Sequence, residues 1–125
     1  MANPMLIKAM NAEAIVAAFR IVKIGAADGG VIVGAAAADV LLGVSDEIGQ
    51  ATAGQRIDVI LSGIADVEYG ATVARGARLT TDATGRAVTA APAAGANNGI
   101  IGTALVSGVV GDIGSVLIAQ SVLQG

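Results

Sequence analysis

The chain has 125 residues, a formal net charge of -3 and 54% hydrophobic residues, and it contains no His, Cys or Trp. This length fits one domain. Without His and Cys, the chain lacks the side chains that most often perform acid–base, nucleophilic or redox chemistry near neutral pH. We therefore expect a structural protein that is not an enzyme and that needs no cofactor and no metal ion.

Charge and hydropathy also argue against nucleic-acid and membrane partners. The seven Lys and Arg residues are scattered along an acidic chain, so no basic patch is expected. Residues 87–111 are uncharged, but Pro92 and repeated glycines make them a poor membrane helix, and we interpret them as strand, loop and strand. The N-terminus lacks the charged start and continuous apolar run of a secretory signal.

The N-terminal segment, residues 3–18, is compatible with two conformations. Asn3 and Pro4 favour an extended start. A helix is the alternative, because apolar residues approximate a helical stripe at Leu6, Ile7, Met10, Ala14 and Ile15. We predict that residues 1–18 form an N-terminal arm and that residues 19–125 form a β-rich domain.

From Phe19 onward the pattern is typical of β-structure. Phe19–Ile24 combines apolar and β-branched residues with two basic ones, Gly25–Gly30 has the composition of a turn, and Val31–Val33 is the expected partner strand. Val40–Ser45 then predicts a buried strand.

A second hairpin is predicted at Ala77–Thr81 and Arg86–Ala90, which flank the turn Asp82–Gly85. The aspartate can cap such a turn through its side chain, and the glycine tolerates positive φ. The alternation of residues places Leu79 and Val88 inward. Further along, the composition of Asn97–Gly99 predicts a tight turn within an exposed loop that can serve as a contact surface.

The chain also contains a faint internal repeat. Gly54–Leu61 resembles Gly111–Ile118, and each segment follows a short apolar strand that contains a glycine. Chance similarity in a sequence of low complexity is the alternative explanation. Short strands between Gly-rich turns predict, in either case, an all-β fold: a small β-barrel or sandwich with hairpins, preceded by the arm.

Several short motifs fall short of known chemistry. The segment Gly49–Arg56 has the glycine spacing of a phosphate-binding loop but not its Lys and Ser/Thr. Asp46 and Glu47 supply too few oxygens for calcium, and we interpret them as solvated loop charges. Asp66 and Glu68 share a strand face, but a hydrolytic pair would need a cleft and a raised pKa.

Phe19 and Tyr69 are the only aromatic residues of the chain. They cannot form a base-stacking platform or a sugar-binding row. We therefore expect each of them to be an anchor in the core or in an interface.

The order of strands and turns resembles that of the capsid cement, or head-decoration, proteins of tailed phages. The resemblance spans about residues 19–119 and rests on the segments Val40–Asp46, Gly54–Leu61, Gly63–Val67, Ala74–Val88, Ile101–Leu105 and Val116–Ile118. It implies a small β-rich module, often a trimer, that binds the major capsid protein on the outer surface of the phage head. It also implies synthesis in the host cytoplasm.

Three functions follow for comparison. The first is a virion structural protein that cements the mature shell, with Pro4, Met5, Leu6 and Ile7 as capsid-contact residues and Pro4 lowering the entropy lost on ordering. The second is a non-enzymatic β-barrel that binds a small hydrophobic ligand in its interior. The third is a hydrolase that uses carboxylates alone.

Overall fold

The computed structural model of the protein describes residues 2–49 and 52–125. Within those ranges all regular structure is β-structure, which confirms the all-β prediction. Nine strands form one sheet with the order β1-β3-β2-β4-β5-β9-β8-β6-β7. Their bounds are β1 Asn3–Ala12, β2 Ile21–Ile24, β3 Gly30–Val33, β4 Leu41–Ser45, β5 Arg56–Glu68, β6 Arg78–Thr81, β7 Ala87–Thr89, β8 Asn97–Ala104 and β9 Ile113–Gln124.

The first five strands close into a small barrel, which we call the first barrel. Strand β1 pairs in parallel with β3 at Asn11 and Ala12, and it pairs antiparallel with the N-terminal half of β5 from Asn3 to Asn11. These two pairings join the ends of the series β1-β3-β2-β4-β5. Its interior is filled by the buried side chains of Ala12, Val16, Val22, Val31, Ile57 and Val59.

The second barrel uses the C-terminal half of β5 together with β9, β8, β6 and β7. It closes through a parallel bridge between Tyr69, directly after β5, and Ala87 of β7. Its core includes the buried side chains of Ala65, Val67, Tyr69, Val73, Leu79, Ile101 and Val116. The same cluster continues onto Ile21 and Val44 of the first barrel, so the two barrels pack against each other.

The two barrels are copies of one backbone plan. Gly54 donates its N–H to the carbonyl of Ala12 at 2.6 Å, and Gly111 donates to the carbonyl of Tyr69 at 2.9 Å, with both pairs 57 positions apart in the chain. Gly54 and Gly111 also share positive φ values of 85° and 88°. The predicted internal repeat is therefore confirmed, and β2–β5 correspond to β6–β9.

The predicted hairpins are present, with one correction to their faces. Strands β2 and β3 pair antiparallel, as do β6 and β7. Leu79 is buried as expected, but the prediction that Val88 points inward is wrong. Leu79 pairs with Thr89 and Val88 pairs with Thr80, so Val88 lies on the opposite face and Ala87 is the buried residue of β7.

The turn predicted at Asn97–Gly99 is also misplaced. These residues begin β8, and Asn97 pairs with Gln124 of β9. The turn lies just before them, where Ala96 donates its N–H to the carbonyl of Ala93 at 2.9 Å and Gly95 has a φ of 81°. Glycine supplied the required positive φ, and the asparagines were free to join the strand.

Candidate functional site

Strand β1 presents three consecutive exposed apolar side chains. Its extended conformation follows from antiparallel pairing with β5, which satisfies its backbone polar groups on one edge. Along this strand Met5, Leu6 and Ile7 are 83%, 52% and 50% exposed. Three consecutive exposed apolar residues on a folded strand are typical of an interaction surface.

The pairing of β1 with β5 is irregular next to these residues. The register shifts between Pro4 and Leu6 and shifts back between Leu6 and Ile7, so Met5 lies in a β-bulge. Gly63 of β5 faces this bulge with a φ of 90°, and a Cβ there would lie 2.6 Å from the Met5 nitrogen. A glycine at position 63 is therefore what lets β1 approach β5 with Met5 pushed outward.

A cleft of about 260 Å³ lies beside β1, and we call it the β1 cleft. Its apolar surface comes from β1 and β5 of the first barrel and from the segment that leads into β2. The residues that line it are Ala2, Pro4, Ile7, Phe19, Ser45, Asp46, Glu47, Ile60 and Asp66.

Phe19 lies in the β1 cleft in a left-handed backbone conformation, with a φ of 59°. The corresponding residue of the second barrel is Gly76, with a φ of 89°. A bulky side chain in this region costs roughly 1–2 kcal/mol, whereas glycine adopts it freely. Phe19 is therefore not the residue that this turn favours, yet its half-buried ring lines the cleft.

The charged residues that line the β1 cleft, among those the structure describes, are all acidic: Asp46, Glu47 and Asp66. Asp46 accepts a hydrogen bond from the N–H of Ile48 at 3.0 Å, and Glu47 is exposed. Asp66 accepts one from the hydroxyl of Ser115 at 3.3 Å. The cleft thus combines an apolar floor with a negatively charged rim.

Glu68 does not act with Asp66 as a carboxylate pair. Its side chain lies between Arg20, at 3.2 Å, and Arg86, at 3.8 Å. Arg86 also pairs with Asp82 at 3.1 Å. These partly exposed ion pairs join the first barrel to the β6–β7 hairpin of the second, and each contributes modestly to stability.

Asp82 caps the β6–β7 turn as the sequence predicts. Its Oδ1 accepts hydrogen bonds from the N–H groups of Thr84 and Arg86, both at 2.9 Å. Burial acts to raise the pKa of Asp82, but these hydrogen bonds and the positive charge of Arg86 outweigh burial, so the pKa is lowered below its usual 3.8. The carboxylate therefore stabilises the turn in its charged form.

The four residues predicted as capsid contacts all belong to β1. Pro4 and Ile7, predicted as contact residues, line the β1 cleft, while Met5 and Leu6 lie beside it on the same strand. Sequence reasoning interpreted Asp46 and Glu47 as solvated charges and Phe19 as an anchor, but it did not connect them to β1. No local signal could do so, because the cleft forms only when β1 pairs with β5.

The two aromatic residues have different environments. Tyr69 is fully buried in the second barrel and donates its hydroxyl to the carbonyl of Val106 at 2.7 Å, which confirms it as a core anchor. Burial, followed by the nearby charge of Asp112, raises the pKa of Tyr69. Phe19 is only half-buried.

The described ranges contain no cluster of three or more Asp or Glu side chains that could hold a metal ion. Across residues 2–49 and 52–125, no helix is long and apolar enough to cross a membrane. Gln50 and Ala51 of the Gly49–Arg56 loop lie outside the described residues, and Gly54 within that loop supplies the positive φ of its turn.

No model of a known protein family matches the chain. No curated protein matches it either. Among solved structures, it is similar to the crystal structure of the head fiber gp8.5 N base in bacteriophage phi29, with a TM-score of 0.70 and 18% sequence identity. The match covers 96% of this chain and 98% of that one, so the two share a fold over essentially their whole lengths.

Proposed function

We propose that this protein is a non-enzymatic virion structural protein that binds the outer surface of an assembled phage head and stabilises, or cements, the shell. The observation that supports this most directly is the fold it shares, over 96% of its length, with the base of a phage head fiber. The proposal includes the major capsid protein as partner, a homo-oligomer, with a trimer favoured, and synthesis in the host cytoplasm.

The contact residues in this proposal are Pro4, Met5, Leu6 and Ile7. Their support is the exposure of the last three on a strand that the barrel holds in a fixed extended conformation. A preformed strand loses little conformational entropy when a partner covers it. The division into an arm of residues 1–18 and a domain of residues 19–125 stays a prediction.

Binding only to the assembled shell would stabilise it by mass action. A protein present at a hundredfold excess over its dissociation constant contributes about 2.7 kcal/mol per site. Contacts from one oligomer to several shell subunits would add to this through effective concentration.

The two alternative functions have less support. A small hydrophobic ligand needs an empty interior, but both barrels are filled by their own buried side chains. A hydrolase that uses carboxylates needs a convergent pair, whereas Glu68 is held between two arginines.

The test is co-sedimentation of the purified protein with undecorated phage heads, followed by heat or osmotic challenge of the product. We expect saturable binding and greater resistance of the decorated heads. Met5→Ser and Leu6→Ser should each lower the affinity at least threefold by removing exposed apolar contacts. Val110→Ser, which changes a 59% exposed side chain in the β8–β9 loop, is the matched control and should bind like the parent protein.

A folded protein that does not bind heads would contradict the proposal. Binding that Met5→Ser and Leu6→Ser both leave unchanged would contradict the assigned contact residues, because the contact would then lie away from β1. Circular dichroism of each variant separates a loss of contact from a loss of fold.

A further inference from the structure

The apolar part of the β1 cleft continues from the exposed strand. Pro4 and Ile7 belong to β1 and also form a wall of the cleft, while Ile60 and Phe19 complete its apolar surface. A partner that covers β1 therefore also closes over the cleft. A cleft of about 260 Å³ is large enough to take side chains of that partner and not only water.

The internal repeat shows that the backbone plan does not require an acid at Glu47, whereas Asp46 also caps its own loop by accepting hydrogen bonds from the N–H groups of Ile48 and Gly49. Asp46 donates its N–H to the carbonyl of Asp58, and in the second barrel Leu105 donates to the carbonyl of Ser115 in the same way. Leu105 thus corresponds to Asp46, and Val106 follows it as Glu47 follows Asp46. The same backbone plan accommodates apolar residues in one barrel and two adjacent acids in the other.

The floor of the cleft shows the same contrast. The residue with a positive φ is Gly76 in the turn before β6 and Phe19 in the corresponding turn before β2. An apolar ring and two rim carboxylates thus occur together at the one barrel end that adjoins the exposed strand β1. Charge complementarity then specifies the occupant. A partner that covers the cleft also buries its carboxylates, and buried carboxylates are stable only against cations or strong hydrogen-bond donors.

We propose that the β1 cleft receives a segment of the shell protein in which a Lys or Arg side chain lies beside apolar side chains. The apolar groups pack against Ile7, Phe19 and Ile60, and the cationic group lies against Asp46 and Glu47. This inference rests on the proposed function, because it assigns the shell as the partner that covers β1. It adds the chemistry of the partner segment and a salt-dependent component to binding.

The experiment measures the affinity of the full-length protein for undecorated heads over a series of salt concentrations. Glu47→Lys should lower the affinity at least tenfold at low salt, because it places a cation against the partner's cation. Glu47→Gln should lower it severalfold and make its salt dependence shallower. Asp28→Asn, which removes one exposed charge from the β2–β3 turn, is the matched control and should behave like the parent protein.

The outcomes separate the inference from the proposed function. If Met5→Ser weakens binding while Glu47→Lys and Asp28→Asn bind alike, the shell contact stands and the cationic segment is refuted. If the folded parent protein does not bind heads, both the proposed function and this inference fail. If Glu47→Lys changes the mass of the free protein in light scattering, the cleft holds a second copy, for instance its exposed Arg75 or Arg78, and the shell segment is refuted.

Discussion

The second barrel packs a large side chain against a glycine, and the first barrel has the reverse arrangement. Tyr69 is fully buried, and a Cβ at Gly114 would overlap the Cζ and Oη atoms of its ring. The corresponding residues of the first barrel, 57 positions earlier, are Ala12 and Ile57, and both are buried in one apolar cluster. We predict that each pair is complementary in volume and that the two positions are strongly coupled.

The prediction can be worked out as a double-mutant cycle. Tyr69→Ala should lower the free energy of unfolding by about 4–5 kcal/mol, from a large-to-small core change together with a lost hydrogen bond of about 1 kcal/mol. Gly114→Ile with Tyr69 present should cost about 3 kcal/mol, the upper range of overpacking. In the double variant the new isoleucine fills the space left by the ring, recovers about 2 kcal/mol of burial and removes the clash.

The expected loss for the double variant is therefore about 3 kcal/mol instead of the 7–8 kcal/mol that the single losses sum to, a coupling of about 4 kcal/mol. Chemical denaturation followed by circular dichroism, applied to the parent protein and the three variants, measures it. Additivity within about 0.5 kcal/mol would show that the two positions do not share one space, and it would refute this reasoning about the repeat.

Two further predictions concern polar groups. Ser45→Ala should lower the free energy of unfolding by about 1–3 kcal/mol, because the buried hydroxyl donates to the carbonyl of Ala17 at 2.8 Å and accepts from the N–H of Arg20 at 3.0 Å; denaturation midpoints unchanged from the parent protein would contradict it. The pKa values of Asp82 and Glu13 are lowered in the folded protein, so the unfolded chain binds more protons in acid. The stability that these two carboxylates contribute is therefore present above about pH 4.5, and it is lost as the pH falls through their folded pKa values. Asp82→Asn should therefore reduce the loss of stability between neutral and acidic pH, as measured by urea denaturation at both; an unchanged loss would show that this carboxylate does not contribute.

Local features of the fold could be predicted because turns are encoded locally. The Asp82–Gly85 turn and the Gly25–Gly30 turn each have Asp and Gly residues, which favour turns, between two apolar runs, and both hairpins are present. The errors at Val88 and Asn97 have separate causes: at Asn97 the turn uses Gly95 and leaves the asparagine to the strand, whereas the error at Val88 is one of register. Which residue faces inward depends on the register that the turn sets, and a shift of one residue moves every side chain to the other face.

Barrel closure and the β1 cleft could not be predicted in the same way. Closure depends on the pairing of β1 with both β3 and β5 and on a single bridge from Tyr69 to Ala87, and nothing in the local sequence marks these partners. The repeat was the one long-range signal in the sequence. It aligned Gly54 with Gly111, and it gave the correct spacing because these turns require positive φ in both barrels.

The repeat also separates what the backbone requires from what it leaves free. Both hairpins have two N–H groups in their turns that are satisfied by a carboxylate, which comes from Glu13 in the first barrel and from Asp82 in the second. A glycine lies against each acid: a Cβ at Gly25 would collide with the carboxylate of Glu13, and a Cβ at Gly70 would collide with that of Asp82. The repeat aligns Glu13 with Gly70 and Gly25 with Asp82, so the acid and the glycine exchange positions between the two barrels. Both turns thus use a carboxylate to satisfy their N–H groups, and only the residue that supplies it differs.

Asp46 at the rim of the β1 cleft meets a similar requirement, because it accepts hydrogen bonds from the N–H groups of Ile48 and Gly49. Glu47 beside it is exposed, and the corresponding residue of the second barrel is Val106. The backbone plan therefore does not account for Glu47, and this is why substitution of Glu47 is the test of the inferred cationic segment.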